Sequence, residues 1–142
     1  MRLKITRLDP TLPLPTYATP GAAGFDLAAA YDVEVPPREI RLVGTGLVMK
    51  VPDGHFLAIF ARSSTPMKRG LIVSNGVGVI DSDYCGATDE IKIQVLNVTD
   101  APVTLRRGDR TAQGIVLPAP RAEFEEAATS ADSRGGFGST GS

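Results

Sequence analysis

Glu90-Ile91-Lys92-Ile93-Gln94-Val95 is the run that decides the fold class. Apolar residues take every second position, so Ile91, Ile93 and Val95 share one face of a strand while Glu90, Lys92 and Gln94 share the other. Outward from it, short alternating or β-branched runs recur roughly every ten residues, separated by Gly, Pro and Asp. They predict strands over 3–8, 24–29, 39–43, 46–51, 55–61, 71–73, 77–81, 90–98, 103–105 and 111–117. Pro52-Asp53-Gly54 reads as a turn, and Pro36-Pro37 interrupts any strand it meets. One helix is expected, Ser64–Arg69, with Ser63 or Ser64 as its cap, Pro66 in its first turn and Gly70 at its end. The expected fold is all-β, a distorted jelly-roll-like barrel or sandwich with one short helix.

The chain has 142 residues, enough for one core. A formal charge of −1 gives no bulk attraction to nucleic acid or membrane, so neither is an expected partner. Cys85 is the single cysteine, which excludes an internal disulfide, and His55 is the single histidine, which excludes thiolate or imidazole metal clusters. No run of about eighteen apolar residues occurs, and the N-terminus lacks a signal-peptide apolar region, so the cytoplasm is the expected location. Residues 1–122 are expected to form the β domain. From Glu123 the composition turns to Ala, Glu, Thr and Ser with little to bury, and 123–142 reads as a flexible arm carrying a Gly-rich end.

Several segments ask for an anionic, aromatic ligand. In Ser133-Arg134-Gly135-Gly136-Phe137-Gly138-Ser139-Thr140-Gly141-Ser142, glycines let backbone N–H groups converge on phosphates, Arg134, Ser139 and Thr140 add donors, and Phe137 offers a flat ring. Ala61-Arg62-Ser63-Ser64 puts a guanidinium and two hydroxyls where a strand feeds a helix; it reads either as a phosphate site or as a cap with a structural ion pair. Asn75-Gly76 reads as a tight turn opening a β-hairpin, whose arm Val77-Gly78-Val79-Ile80 leads to Asp81, Ser82, Asp83 and Tyr84. Free backbone edges there can read a nucleobase, and a carboxylate at the end can polarise water. By alternation, Asp81 and Asp83 share a face. Asp26, inside a strand of small residues, is either a structural acceptor or an outer-shell acceptor for metal-bound water. In Arg107-Gly108-Asp109-Arg110-Thr111-Ala112-Gln113, Asp109 and Arg110 look structural, whereas Gln113 can reach a phosphate.

Taken in order, Ala23-Gly24-Phe25-Asp26-Leu27, Ala61-Arg62-Ser63-Ser64, Asn75 through Gly86, Arg107 through Gln113 and Arg134 through Gly141 resemble the five motifs of the trimeric dUTPase family. The resemblance implies a homotrimer with active sites at subunit interfaces, each closed by a neighbour's C-terminal arm. It implies hydrolysis of dUTP to dUMP and diphosphate with Mg²⁺, which limits uracil in DNA and supplies dUMP for dTMP synthesis. Asp81 matches the carboxylate that activates the attacking water, and Asp26 an outer-shell contact to Mg²⁺-bound water. Arg62, Ser63, Ser64 and Gln113 match phosphate-lining positions. Asn75, the backbone of Gly78, Val79 and Ile80, and the region of Lys92 would read uracil, while Tyr84 would pack under the sugar and exclude a 2′-hydroxyl. Phe137 would cover the base, with Arg134, Gly138, Ser139 and Thr140 around the terminal phosphates. Ala87-Thr88-Asp89 is an insertion of about three residues relative to many members, and it bears on the Lys92 assignment. A dCTP deaminase, a bifunctional deaminase-dUTPase and a non-catalytic nucleotide-binding trimer are the rival readings on such a fold.

Overall fold

The computed structural model describes residues 1–129 and 131–136. Phe137, Gly138, Ser139 and Thr140 lie outside the described residues. Within them the chain forms, in order, β1 (Lys4–Arg7), β2 (Phe25–Ala28), β3 (Val33–Val35), β4 (Ile40–Gly44), β5 (Leu47–Lys50), β6 (His55–Ala61), α1 (Ser64–Arg69), β7 (Leu71–Val73), β8 (Gly78–Ile80), β9 (Lys92–Asn97), β10 (Val103–Leu105) and β11 (Arg110–Pro118).

Four small antiparallel sheets result, ordered β2-β11-β6-β8, β4-β9-β7, β1-β5 and β3-β10. The architecture is a jelly-roll-like assembly of sheets, with no closed barrel among the described residues. The alternation in 91–95 sends Ile91, Ile93 and Val95 inward beside Leu27, Met49, Leu57, Ile59 and Leu71, all fully or almost fully buried. Each such side chain contributes about 1.5–3 kcal/mol of transfer free energy. The buried Asn97 is satisfied on both sides of its amide. Its Nδ2 donates to the carbonyls of Val35 (2.9 Å) and Ala101 (2.8 Å), and its Oδ1 accepts from Thr99 N–H at 2.9 Å. Among the described residues no helix is long and apolar enough to cross a membrane.

Three local expectations change. Val33–Val35 is a strand, paired with β10, that the proline pair at 36–37 conceals in the sequence. Ser63 occupies the N-cap position of α1, with φ −53° and ψ −35°, yet makes no side-chain cap bond; a helical backbone there turns its hydroxyl away from the helix N–H groups. Asn75-Gly76 does turn the chain, with Gly76 at φ +73°. However, β7 and β8 do not pair: β7 joins β9 and β8 joins β6, so the turn passes the chain from one sheet to the next.

Candidate active site

Two clusters of chemistry arise on the sheet β2-β11-β6-β8. The first begins with a cross-strand row, since Gln113 on β11 stands opposite both Asp26 on β2 and Phe60 on β6. Arg62 follows Phe60 by two residues, and its Nε forms an ion pair with Asp26 Oδ1 at 2.8 Å. Regular alternation would point Arg110 to the opposite face from Gln113. A register shift between Arg110 and Ala112 instead sets Arg110 opposite Ala28, on the Asp26 face. Its Nη1 donates to Asp26 Oδ2 at 3.2 Å, so each carboxylate oxygen is paired with a guanidinium group. Gln113 Nε2 donates to the Ala61 carbonyl at 3.0 Å, fixing the side chain below Arg62. Gly24 leaves the room it needs: a Cβ at that position would lie 2.9 Å from Gln113 Oε1.

Beside this triad Arg62, Ser64, Thr65, Lys68, Arg69, Asp109 and Arg110 border a cleft of about 410 Å³. Four cations face it, and Arg69 is paired with Asp109 at 2.8 Å. The Arg69 guanidinium, followed by the Arg106 backbone N–H, holds the Asp109 carboxyl below the usual carboxylate range. The surplus of positive charge suits a polyanion. Of the residues the motifs point to, Arg62 and Ser64 border this cleft, while Ser63 is exposed and Gln113 is bonded to Ala61; Arg110, Lys68 and Arg69 join them only through the bulge and the placement of α1.

The second cluster lies at the other edge of the sheet. Strand β8 is an edge strand, paired with β6 on one side only. The outer N–H and C=O groups along Gly78, Val79 and Ile80 therefore face away from the sheet, as a base-reading edge requires. Asn75 is exposed at the head of this strand and Asp81 at its foot. The strand alternation expected through Asp83 stops at Ile80, because Tyr84 N–H donates to the Asp81 carbonyl at 3.2 Å and closes a turn. Asp81 and Asp83 border a cleft of about 420 Å³ with His55, Phe56 and Arg121, and neither Phe56 nor Arg121 carries a sequence signal for this site. His55 Nδ1 lies 3.1 Å from the Asp53 carbonyl. The Tyr84 hydroxyl donates to the Glu90 carbonyl at 3.3 Å. Lys92 opens β9 opposite Gly44 and is exposed. Arg134 is exposed on a segment without helix or strand. Ala87–Asp89 lies in a closed loop in which Gly86 N–H donates to Asp89 Oδ2 at 2.6 Å.

These clusters do not meet within one chain. Asp81 follows Ile80, which pairs with Leu57, whereas the Asp26 row crosses β6 at Phe60. Four residues along the strand and three strand spacings across the sheet amount to on the order of 20 Å. Among the described residues no group of three or more His, Cys, Asp or Glu could cage a metal ion. With both Asp26 oxygens engaged by arginines, the donors present fit a hydrated cation that arrives with phosphate oxygens already around it.

The dUTPase family profile matches residues 11–141. This chain belongs to the dUTPase family. Among curated dUTPases, the deoxyuridine 5′-triphosphate nucleotidohydrolase of Thermobifida fusca is 47% identical over 145 residues, covering 99% of this chain and 79% of its own length. That of Anaeromyxobacter sp. is 43% identical over 141 residues, covering 97% of this chain and 94% of its own. The dUTPase from Streptococcus mutans matches in structure with a TM-score of 0.78 at 37% identity, over 86% of this chain and 98% of its own.

Proposed function

We propose that the protein hydrolyses dUTP to dUMP and diphosphate, and that its sites are assembled between copies. The observation that carries the reading is the open edge of β8 running directly into Asp81, in a chain of the dUTPase family. Backbone groups of Gly78, Val79 and Ile80, with Asn75 and the neighbourhood of Lys92, read the uracil edge. Tyr84 lies under the deoxyribose. The Asp81 carboxylate orients a water on the α-phosphorus and takes its proton as the new P–O bond forms and the bond to the β-phosphate oxygen breaks.

Phosphates need the other cluster, Arg62, Ser63, Ser64 and Gln113, which a second copy supplies because its own chain holds it too far from Asp81. Residues 123–142 form the arm whose Arg134, Phe137, Gly138, Ser139 and Thr140 close a third contribution over the nucleotide. An apolar row supports assembly as a homotrimer. Ile40 on β4 is 47% exposed and lies opposite Leu96, which lies opposite Ile72, while Leu42 beside them is 59% exposed. The family generally uses Mg²⁺, which when bound neutralises the triphosphate and favours departure of diphosphate. Asp26 would be the residue to accept a hydrogen bond from that ion's water, with Arg62 and Arg110 beside it as the phosphate-facing cations.

Diphosphate release from dUTP, measured beside ammonia release from dCTP, tests the reading. Diphosphate without ammonia is expected; ammonia from dCTP would assign the fold to deamination.

A further inference from the structure

Residues 82–89 hang from the fold by very little. Among the described residues, every hydrogen bond made by this stretch stays within 81–90: Tyr84 to Asp81, Cys85 to Asp83, Gly86 and Asp89 to each other, Glu90 to Thr88, and the Tyr84 hydroxyl to the Glu90 carbonyl. Tyr84 is 40% exposed, so packing covers its ring only in part. At Glu90 the situation reverses. Its carboxylate Oε1 accepts from Gly46 N–H at 2.8 Å. Gly44 makes the space for it, since a Cβ at Gly44 would come 2.5 Å from that same oxygen. The next residue is stitched to the same turn: Ile91 N–H donates to the Leu47 carbonyl at 2.8 Å, and Thr45 Oγ1 donates to the Ile91 carbonyl at 2.7 Å. The turn between β4 and β5 is thus an anchor. Glu90 is the joint between that anchor and the loop bearing Tyr84.

We infer that Glu90 is a specificity-determining positioning residue: its carboxylate, clamped on Gly46, sets where the Tyr84 phenol stands and hence how strictly a 2′-hydroxyl is refused. The inference rests on the reading of Tyr84 as the residue under the sugar. Glu90 touches no nucleotide atom in this account. It acts through one side-chain hydrogen bond to the anchor and one main-chain hydrogen bond to the tyrosine. Residues 85–89 separate Tyr84 from Glu90 along the chain, which leaves the hydroxyl–carbonyl bond as the short route between them.

The test compares kcat/KM for dUTP and for UTP in the wild type and in Glu90→Ala, Glu90→Gln, Tyr84→Phe and Tyr84→Ala. Tyr84→Ala calibrates the gate and should relax the dUTP/UTP ratio most. Glu90→Ala should relax the ratio by about fivefold or more, mainly by raising the UTP value. Glu90→Gln keeps an oxygen acceptor for Gly46 N–H and should retain the wild-type ratio. Tyr84→Phe removes only the hydroxyl bond and should shift the ratio in the same direction as Glu90→Ala, by less. If Tyr84→Ala relaxes the ratio while Glu90→Ala and Tyr84→Phe both stay within about twofold of wild type, the inference about Glu90 is overturned. An unchanged ratio in Tyr84→Ala would instead remove the sugar reading itself, and with it the basis for Glu90. Should Glu90→Ala not fold, Tyr84→Phe decides alone, because it alters one bond of an exposed side chain.

Discussion

Arg69 Nη1 lies 2.8 Å from Asp109 Oδ2, tying the last turn of α1 to the turn that enters β11. The pair is structural first: it fixes the helix beside the Asp26 triad and so sets the shape of the cationic cleft. It also carries a pH signature.

The Asp109 carboxyl is held below its ordinary value, by Arg69 foremost. Asp32 is lowered by the Arg107 N–H and then by Arg106, and Asp9 falls to about 2 through the Thr11 hydroxyl and N–H and then Arg107. A carboxyl whose folded pKa is depressed stabilises the fold above its unfolded pKa and loses that contribution as pH falls through the folded value. Thermal unfolding should therefore show a flat Tm from pH 7 to about 5 and a fall below about 4. Asp109→Asn should lower Tm at pH 7, with the difference from wild type narrowing in acid.

Asp81→Asn should keep the fold and lose turnover. The residue is exposed, so its substitution disturbs no packing. Loss of the group that orients and deprotonates water should lower kcat by about 10²–10⁴-fold, with dUTP binding retained. Calorimetric titration with a non-hydrolysable dUTP analogue beside a diphosphate-release assay separates the two effects.

Asp26→Asn separates two duties of one carboxylate. As an anchor for Arg62 and Arg110 it affects KM for dUTP; as an outer-shell acceptor it affects the Mg²⁺ requirement. The expected result is a half-saturating Mg²⁺ concentration raised by about tenfold, together with a higher KM. A change in KM at an unaltered Mg²⁺ requirement would leave Asp26 as an arginine anchor only.

Deleting residues 134–142 should leave Tm unchanged and cut turnover severely. Residues 134–136, the described part of that segment, are exposed and form no helix or strand, so their removal takes no packing from the β core. A lowered Tm would show that the segment belongs to the fold and would contradict its reading as an arm.

Much of this was legible in the residues. Alternation in 91–95 and the continuous apolar run after His55 mark two strands correctly, and Gly70, at φ +65°, ends α1 where its freedom from a Cβ predicts. Motif order identified Asp81, Asn75 and Arg62 as residues to watch. What stayed hidden depends on partners far away in sequence. Nothing local reveals that the chain leaves Asn75-Gly76 for a different sheet, which is what opens the β8 edge. Arg110 reads as an ordinary strand residue until the register shift turns it to Asp26. Glu90 reads as the polar face of a strand, and only the approach of Gly44 and Gly46 gives its carboxylate a task.

The central claim is that one dUTP takes Asp81 from one copy and Arg62 from another. Mixing subunits tests it most directly. Asp81→Asn and Arg62→Ala are each prepared as near-inactive proteins, unfolded together in equal amounts, refolded, and assayed for diphosphate release. Random assembly gives sites that combine an intact Asp81 with an intact Arg62 at roughly one in four, so about a quarter of wild-type activity should return. Mixed assemblies that form yet stay as inactive as their parents would place both residues on the same copy and contradict the account.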